Sequence, residues 1–213
     1  MTMIPIAGFA NSKFLGSGSA GVCAATWLAR YGLTCKIVDW RPGPLEVGQA
    51  DGVQCRTVEV FDSFGIAEEL LREAYHVLEV TFWSSDGGGI VRSSRAKDRE
   101  EGVSHMPHVI LNQARINELL LERMMEWNRQ RVDYGFEVKG VSVLSGGATG
   151  EEEFPVRIET VRHGREEFWR AKYALVRPSH LLKLLFIASA RLIWDRHATV
   201  LTVQSANRWA SRC

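Results

Sequence analysis

The sequence predicts an α/β protein: a βαβ unit with parallel strands, joined by an antiparallel β element. Three observations predict it. A glycine-rich turn, Gly16-Ser17-Gly18-Ser19-Ala20-Gly21, opens an alanine-rich apolar run. A short β-branched run, Cys35 to Asp39, follows directly. Downstream, alternating apolar residues broken by glycine turns read as antiparallel strand pairs.

Taken in order, Leu15 to Gly32 is a glycine turn and a helix that ends at Tyr31-Gly32, where glycine suits the left-handed position after the last turn. The strand that should feed Gly16 is expected to be a continuous apolar run. Asn11-Ser12-Lys13 intrudes, leaving Phe14-Leu15 as its clear remnant. Cys35 to Asp39 is a strand closed by the turn Arg41-Pro42-Gly43-Pro44. Gly48 to Gly52 is a polar loop bracketed by glycines, and Thr57 to Tyr75 carries apolar residues at mostly helical spacing, broken near Gly65. Val77 to Trp83 and Ile90 to Arg92 flank Asp86-Gly87-Gly88-Gly89 as a hairpin, followed by a charged loop around Lys97 to Gly102. Ile116, Leu119, Leu120, Met124 and Trp127 recur at three- and four-residue steps, which predicts a helix from about Gln113 to Trp127. Two more strand pairs are expected between Phe136 and Ala174, with a turn at His163-Gly164.

Composition bounds the function. The 213 residues, 46% of them apolar, suffice for one good-sized core with a small appended lobe. A net charge of +1, from 26 bases against 25 acids, argues against a nucleic-acid partner, which needs a concentrated basic face. Cys23, Cys35, Cys55 and Cys213 are widely spaced, with no pairing pattern for a metal cage or a disulfide framework, so no metal is expected and a reducing, cytoplasmic setting is. The amino terminus has no basic region followed by an apolar core. No stretch reaches the roughly 18 to 20 apolar residues that span a bilayer, so no membrane partner is expected.

Gly16, Gly18 and Gly21 give the spacing G-x-G-x-x-G. In a Rossmann-like unit the first glycine makes the tight turn, the second lets backbone approach a pyrophosphate, and the third lets the helix pack closely on the strand. Bound phosphates would sit on the first N–H groups of the helix, at Ser19, Ala20 and Gly21, and on the positive end of its dipole. Asp39 closes the next strand at about the expected remove, where a carboxylate accepts from ribose hydroxyls. The alternative for the loop is a glycine-rich turn without a ligand, and for Asp39 a strand-end acid facing water.

Further segments carry a resemblance. Gly16 to Arg30, the Val38 to Pro44 turn, the run Gly48-Gln49-Ala50-Asp51-Gly52-Val53-Gln54-Cys55-Arg56-Thr57, and His108-Val109-Ile110-Leu111-Asn112-Gln113-Ala114-Arg115 resemble fungal phenol 2-monooxygenases, single-component FAD aromatic hydroxylases. The resemblance covers roughly Leu15 to Leu175 and implies a glutathione-reductase-type FAD-binding fold. It implies that Gly16, Gly18, Gly21 and Asp39 hold the ADP half of FAD, with Arg41 by the adenosine end and Gln113 near the flavin. Arg41 reads equally as a solvated turn residue, and Gln113 as a residue capping its helix. Arg56 either meets the flavin or starts a helix. Asp51 is implied as the acid that helps remove the phenolic proton, against the alternative of a hydrated loop aspartate. The implied reaction reduces FAD with NADPH as a transient reductant, takes up O2, and transfers one oxygen to a phenolic substrate ortho to its hydroxyl. Full-length relatives are implied to form homodimers.

The sequence departs from that family after Tyr173-Ala174-Leu175. The resemblance implies a Gly-Cys-Asp-Gly-Ala-x-Ser segment there, and the chain reads Val176-Arg177-Pro178-Ser179-His180. Of the 25 acids only Asp195 falls in 177–213, against six bases, so this tail is +5 and the preceding part −4. The expectation is a partial FAD-binding domain over 1–176 and an atypical basic tail over 177–213, foreign to the fold, with catalysis impaired; an alternative carboxyl-terminal helix is the milder account. Leu181 to Trp194 reads as a core or misfolded segment, with an amphipathic membrane-surface helix as the alternative. His105 and His108, three apart, lack a third metal ligand in reach, and Trp27, Trp83 and Trp127 read as core or rim. Two competing functions stay open: a non-catalytic FAD-binding or interaction protein, and a NAD-dependent reductase of Rossmann type.

Overall fold

The computed structural model describes residues 12–48, 50–85, 87–100, 102–143, 154–176 and 186–189. In chain order these begin with β1 (Ser12–Leu15), α1 (Ser19–Arg30), β2 (Cys35–Asp39), β3 (Gly52–Val53), α2 (Cys55–Ser63) and α3 (Ala67–Glu73). Next come β4 (Tyr75–His76), β5 (Glu79–Ser85), β6 (Ile90–Lys97), β7 (Val109–Ile110) and α4 (Gln113–Asn128). The last are β8 (Val132–Tyr134), β9 (Glu137–Val143), β10 (Val156–Arg162), β11 (Arg165–Ala171), β12 (Tyr173–Val176) and β13 (Phe186–Ser189). The architecture is mixed α/β, with one largely parallel sheet and separate antiparallel sheets. The chain divides into two units, residues 1–44 with 128–213, and residues 45–127.

The first unit holds a sheet in the order β13-β12-β1-β2-β8. β1 is central and runs parallel to β12 and β2, while β2 runs parallel to β8. Side chains alternate between the two faces of such a strand. Leu15 and Val38 enter a core cluster with Phe136, Val156, Ile158, Ala171 and Ala174, supplied largely by the antiparallel sheet β11-β10-β9. The opposite face, with Phe14 and Ile37, is the one against which α1 packs. The buried stripe of α1 is Gly21, Val22, Ala25, Thr26 and Ala29, small residues at helical spacing that let the helix lie close to the sheet. The helix ends as expected: Gly32 has φ +69°, its N–H bonds to the Ala29 carbonyl at 3.0 Å, and the Leu33 N–H bonds to that of Leu28 at 2.9 Å. At the β10–β11 turn His163 and Gly164 both have positive φ, the backbone a two-residue hairpin turn of right-handed twist demands.

The structure corrects the reading of the first strand. β1 begins at Ser12, so Lys13 lies inside the central strand, paired with Ala174 on one side and Lys36 on the other, and is only 5% exposed. Strand β8 was not foreseen; three residues are too short to show a period. In the tail, β13 pairs antiparallel with β12 and lies within the stretch Leu181 to Trp194. The rest of 177–213 lies outside the described residues.

In the second unit α4 buries Ile116, Asn117, Leu119, Leu120 and Met124 on one face. Helices α2 and α3 meet across Gly65, whose φ of +72° makes the break the sequence placed there. Trp127 packs edge-on against Phe64 at 6.1 Å, whereas Trp83 stands 62% exposed on the β5–β6 hairpin. Among the described residues no helix is long and apolar enough to cross a membrane, and no cluster of three or more metal-ligating side chains occurs.

Candidate dinucleotide-binding site

The glycine turn leaves the carboxyl end of β1 and enters α1 within three residues. Gly16 takes φ +119°, a backbone region that side chains disfavour, and its N–H donates to the Val38 carbonyl at 2.8 Å, tying the turn to the neighbouring strand. Gly18 is the extended residue before the helix and contributes no side-chain cap; no acid lies in the first turn. The first N–H groups of a helix have no carbonyl partner within it, and they carry the positive end of its dipole. Ser19 and Ala20 begin that turn. Gly21 is fixed by contact: a Cβ there would stand 2.2 Å from the Gly16 carbonyl oxygen. The donor set is therefore backbone N–H without a competing carboxylate or bulky side chain, which fits an anionic pyrophosphate.

Beside this turn, at the carboxyl end of β2, Asp39 is buried rather than facing water. Its Oδ2 accepts from the Ser17 N–H at 2.7 Å, the Ser17 hydroxyl at 2.9 Å and Arg41 Nη2 at 2.9 Å. Its Oδ1 accepts from the Arg41 N–H and Nε, both at 3.0 Å. Burial alone would raise this carboxyl's pKa, but the hydrogen bonds from Arg41 and Ser17 outweigh it and hold the group at about 2. Arg41 is not the solvated turn residue of the alternative reading: its side chain is 19% exposed and Nη2 also donates to the Ser17 hydroxyl at 2.8 Å. Tyr134, at the end of β8 opposite Asp39, completes the cluster; burial raises its phenol pKa against a hydrogen bond with Ser17.

The second unit carries the remaining candidates. Asp51 is exposed, and its carbonyl accepts from the Leu111 N–H at 2.9 Å where β3 meets β7. Gly48 lies against the start of α4, since a Cβ there would be 2.6 Å from Cβ of Gln113. The Asp51 loop and Gln113 are thus held together. Gln113 is the first residue of α4 and not its cap; the Asn112 side chain takes that role, accepting from the Ala114 N–H at 2.8 Å. Arg56 is the second residue of α2, its side chain 86% exposed and ion-paired with Glu59. His108 hydrogen-bonds through Nδ1 to Asp98 at 2.9 Å.

Sequence reasoning missed Ser17 and Tyr134. Ser17 occupies the unassigned position between the first two glycines, and Tyr134 ends a three-residue strand, too short to show a period, with Gly135 after it as the one local signal.

This geometry is matched by a known family: residues 14–175 fit the FAD binding domain. The chain belongs to the FAD binding domain family. Among curated relatives, this FAD binding domain chain is 56% identical over 173 residues to the FAD-dependent monooxygenase terD of Aspergillus terreus, covering 78% of this chain and 28% of that protein. It is 40% identical over 172 residues to 3-hydroxybenzoate 4-monooxygenase of Comamonas testosteroni, covering 76% and 26%. A phenol 2-monooxygenase, fsqG of Aspergillus fumigatus, is 29% identical over 119 residues, covering 55% and 20%. The FAD binding domain chain thus spans about a quarter of the length of the first two relatives. Its fold is shared with the flavin-dependent monooxygenase PieE, solved in complex with FAD and substrate, at a TM-score of 0.63 and 24% identity over 78% of this chain and 29% of that one.

Proposed function

We propose that this chain is the FAD-binding part, through about Val176, of an NADPH- and O2-dependent monooxygenase that hydroxylates a phenolic ring ortho to its hydroxyl. One observation carries the FAD reading: an uncapped helix start, free of acids, set by a glycine turn at the carboxyl end of a central parallel strand. The backbone at Gly16, Gly18, Ser19, Ala20 and Gly21 would hold the pyrophosphate, with Asp39 and Arg41 at the adenosine end and Arg56 and Gln113 toward the flavin. FAD, when bound, supplies the redox and oxygen chemistry that no side chain provides. The protein's share is to orient the ring and to exclude water.

Asp51 would receive or orient the phenolic proton. A phenol, judged from tyrosine, has a pKa of about 10, so it is protonated at neutral pH and benefits from a positioned base. The phenolic substrate class is favoured by two relatives named for phenol and 3-hydroxybenzoate. The near-neutral charge disfavours a nucleic-acid partner; a cytoplasmic setting without a membrane partner, and a homodimer of the full-length protein, belong to the same reading.

Purified protein should be yellow, absorbing near ~450 nm as flavins do. If flavin is held, phenol-stimulated NADPH oxidation tests catalysis: peroxide without catechol is the outcome expected of an impaired site, and catechol, slowed by roughly 100-fold or more in Asp51→Asn with flavin retained, would show that the chain is active after all. Colourless protein that binds NAD would replace the FAD reading with a NAD-dependent reductase; binding of neither would leave an interaction protein.

A further inference from the structure

Strands β5 and β6 form a two-stranded sheet, and among the described residues neither has a second ladder partner. At its base the Val77 N–H donates to the His108 carbonyl at 2.9 Å and the Asp98 N–H to the Leu78 carbonyl at 3.1 Å. Every residue of β6, and every residue of β5 except Thr81, is exposed. A two-stranded ribbon is marginal in water, and a third strand or a covering layer is what makes such a sheet stable. The two free edges differ in charge. β6 carries Arg92, Arg95 and Lys97, cations of the kind that guard an edge against further pairing. The one charged residue of β5 is Glu79, and Arg95 of the same hairpin takes it up, Nε donating at 2.7 Å. Laying β6 on a second β6 would crowd their cations together. Laying β5 on a second β5 sets no like charges opposite each other, unless the strands overlap at Glu79 alone.

We propose that the free edge of β5 is a self-association surface, taken by β5 of a second copy of this chain, antiparallel about a two-fold axis at Thr81. Side chains alternate along the strand, so Val80 and Phe82 lie on one face and Glu79, Thr81 and Trp83 on the other. In this register Val80 faces Phe82 of the second copy, a pair of β-branched and aromatic residues made twice by symmetry. Thr81 meets its own mate, and Glu79 faces Trp83 of the second copy. The two hairpins become one four-stranded sheet, β6-β5-β5-β6, with the cation-bearing strands outermost. Two short strands bury less than the roughly 1,200 Å² at which stable complexes begin. The dimer is therefore weak and reversible, with a Kd on the order of 10 µM. It does not depend on a bound nucleotide.

The test is sedimentation velocity of the whole chain from about 1 to about 100 µM, either side of that Kd, where a monomer–dimer equilibrium should appear. Thr81→Lys and Thr81→Glu each put like charges face to face on the axis, and each should weaken the dimer by roughly fivefold or more. Mixing the two variants should bring association back to about the wild-type level, which variants that had lost their fold would not do. Ser94→Lys lies on β6, opposite Phe82 within the hairpin, and should leave the dimer unchanged. Hydrogen exchange should show protection that grows with protein concentration over 79–85 and not over 90–97. A monomer at every concentration, growth past the dimer, loss of the dimer in Ser94→Lys, or Thr81 variants that do not restore each other would each overturn the proposal.

Discussion

Lys13 is the position where the fold's account of charge fails to close, and replacing it should stabilise the protein. It sits inside the central strand, 5% exposed, with Nζ 5.2 Å from the centre of the Trp169 ring. Lys36 Nζ lies over the same ring at 4.9 Å and is paired with Asp133 at 2.7 Å. Among the described residues no carboxylate accepts from Lys13. Burial and the Lys36 charge lower its pKa from 10.5 to about 8. For a base whose folded pKa lies below its unfolded one, the unfolded chain binds more protons between those two values. Stability therefore rises with pH from 8 to 10.5, and below 8 the penalty is present in full. At about 1.4 kcal/mol per pKa unit the bound is about 3 kcal/mol at pH 7 and under ~1 at pH 10. The ring contact and residual solvent screening reduce the expected value at pH 7 to roughly 1–2 kcal/mol. Lys13→Met keeps an unbranched chain of similar length without the charge. Urea unfolding at pH 7 should show the variant more stable by that amount, and the advantage should fade at pH 10. Comparing variant with wild type at each pH removes the opposing effect of Cys35, whose thiol is pushed up to about 12 by burial. A variant less stable at pH 7, or an advantage unchanged at pH 10, would refute the reasoning.

Gly21→Ala places a methyl 2.2 Å from the Gly16 carbonyl oxygen, and both groups are backbone-bound, so a loss of about 3 kcal/mol or more and of nucleotide binding is expected in thermal melts with and without ADP. Asp39 at about 2 against its ordinary 3.8 contributes stability that is full above pH 3.8 and lost as pH falls toward 2; Asp39→Asn should therefore melt lower at pH 7, with the gap to wild type closing by about pH 2. Asn112→Ala removes the cap of α4 and should cost about 1 kcal/mol by chemical unfolding. Gly48→Ala, with its Cβ 2.6 Å from Gln113 Cβ, should speed hydrogen exchange in the first turn of α4 and leave α1 unaffected.

The parts legible in the sequence are those in which local chemistry and fold agree. α1 announces itself through glycines at both ends, and each is required by geometry: Gly16 and Gly32 by positive φ, Gly21 by contact. The period of Ile116, Leu119, Leu120 and Met124 gave α4, because its buried face is continuous. β8 and β13 were invisible for a different reason: three or four residues carry no period, and β8 is held by ladder bonds to β2, distant in sequence. β1 was read too short because an ammonium in a central strand contradicts the burial rule the reading relied on. At the site, the sequence named Asp39 and Arg41 as separate contributors. It could not show that they share one carboxylate with Ser17, since that depends on strand register and turn geometry.

Asp39 and Lys13 are buried charges on adjacent parallel strands, and their difference follows from where each lies along its strand. At the carboxyl edge the ladder ends, so the departing chain has N–H groups to turn inward, and both Ser17 and Arg41 do so onto Asp39. Three residues before the glycine turn, the backbone around Lys13 is committed to β12 and β2, leaving ring faces as the groups in reach. The edge can satisfy an anion for the same reason that it can receive a dinucleotide's phosphates: unpaired N–H donors gather there. A charge in the strand interior meets no such donors or acceptors and lowers stability without serving the site. The prediction that Lys13→Met stabilises while Asp39→Asn destabilises is thus one argument applied at two heights of the same sheet.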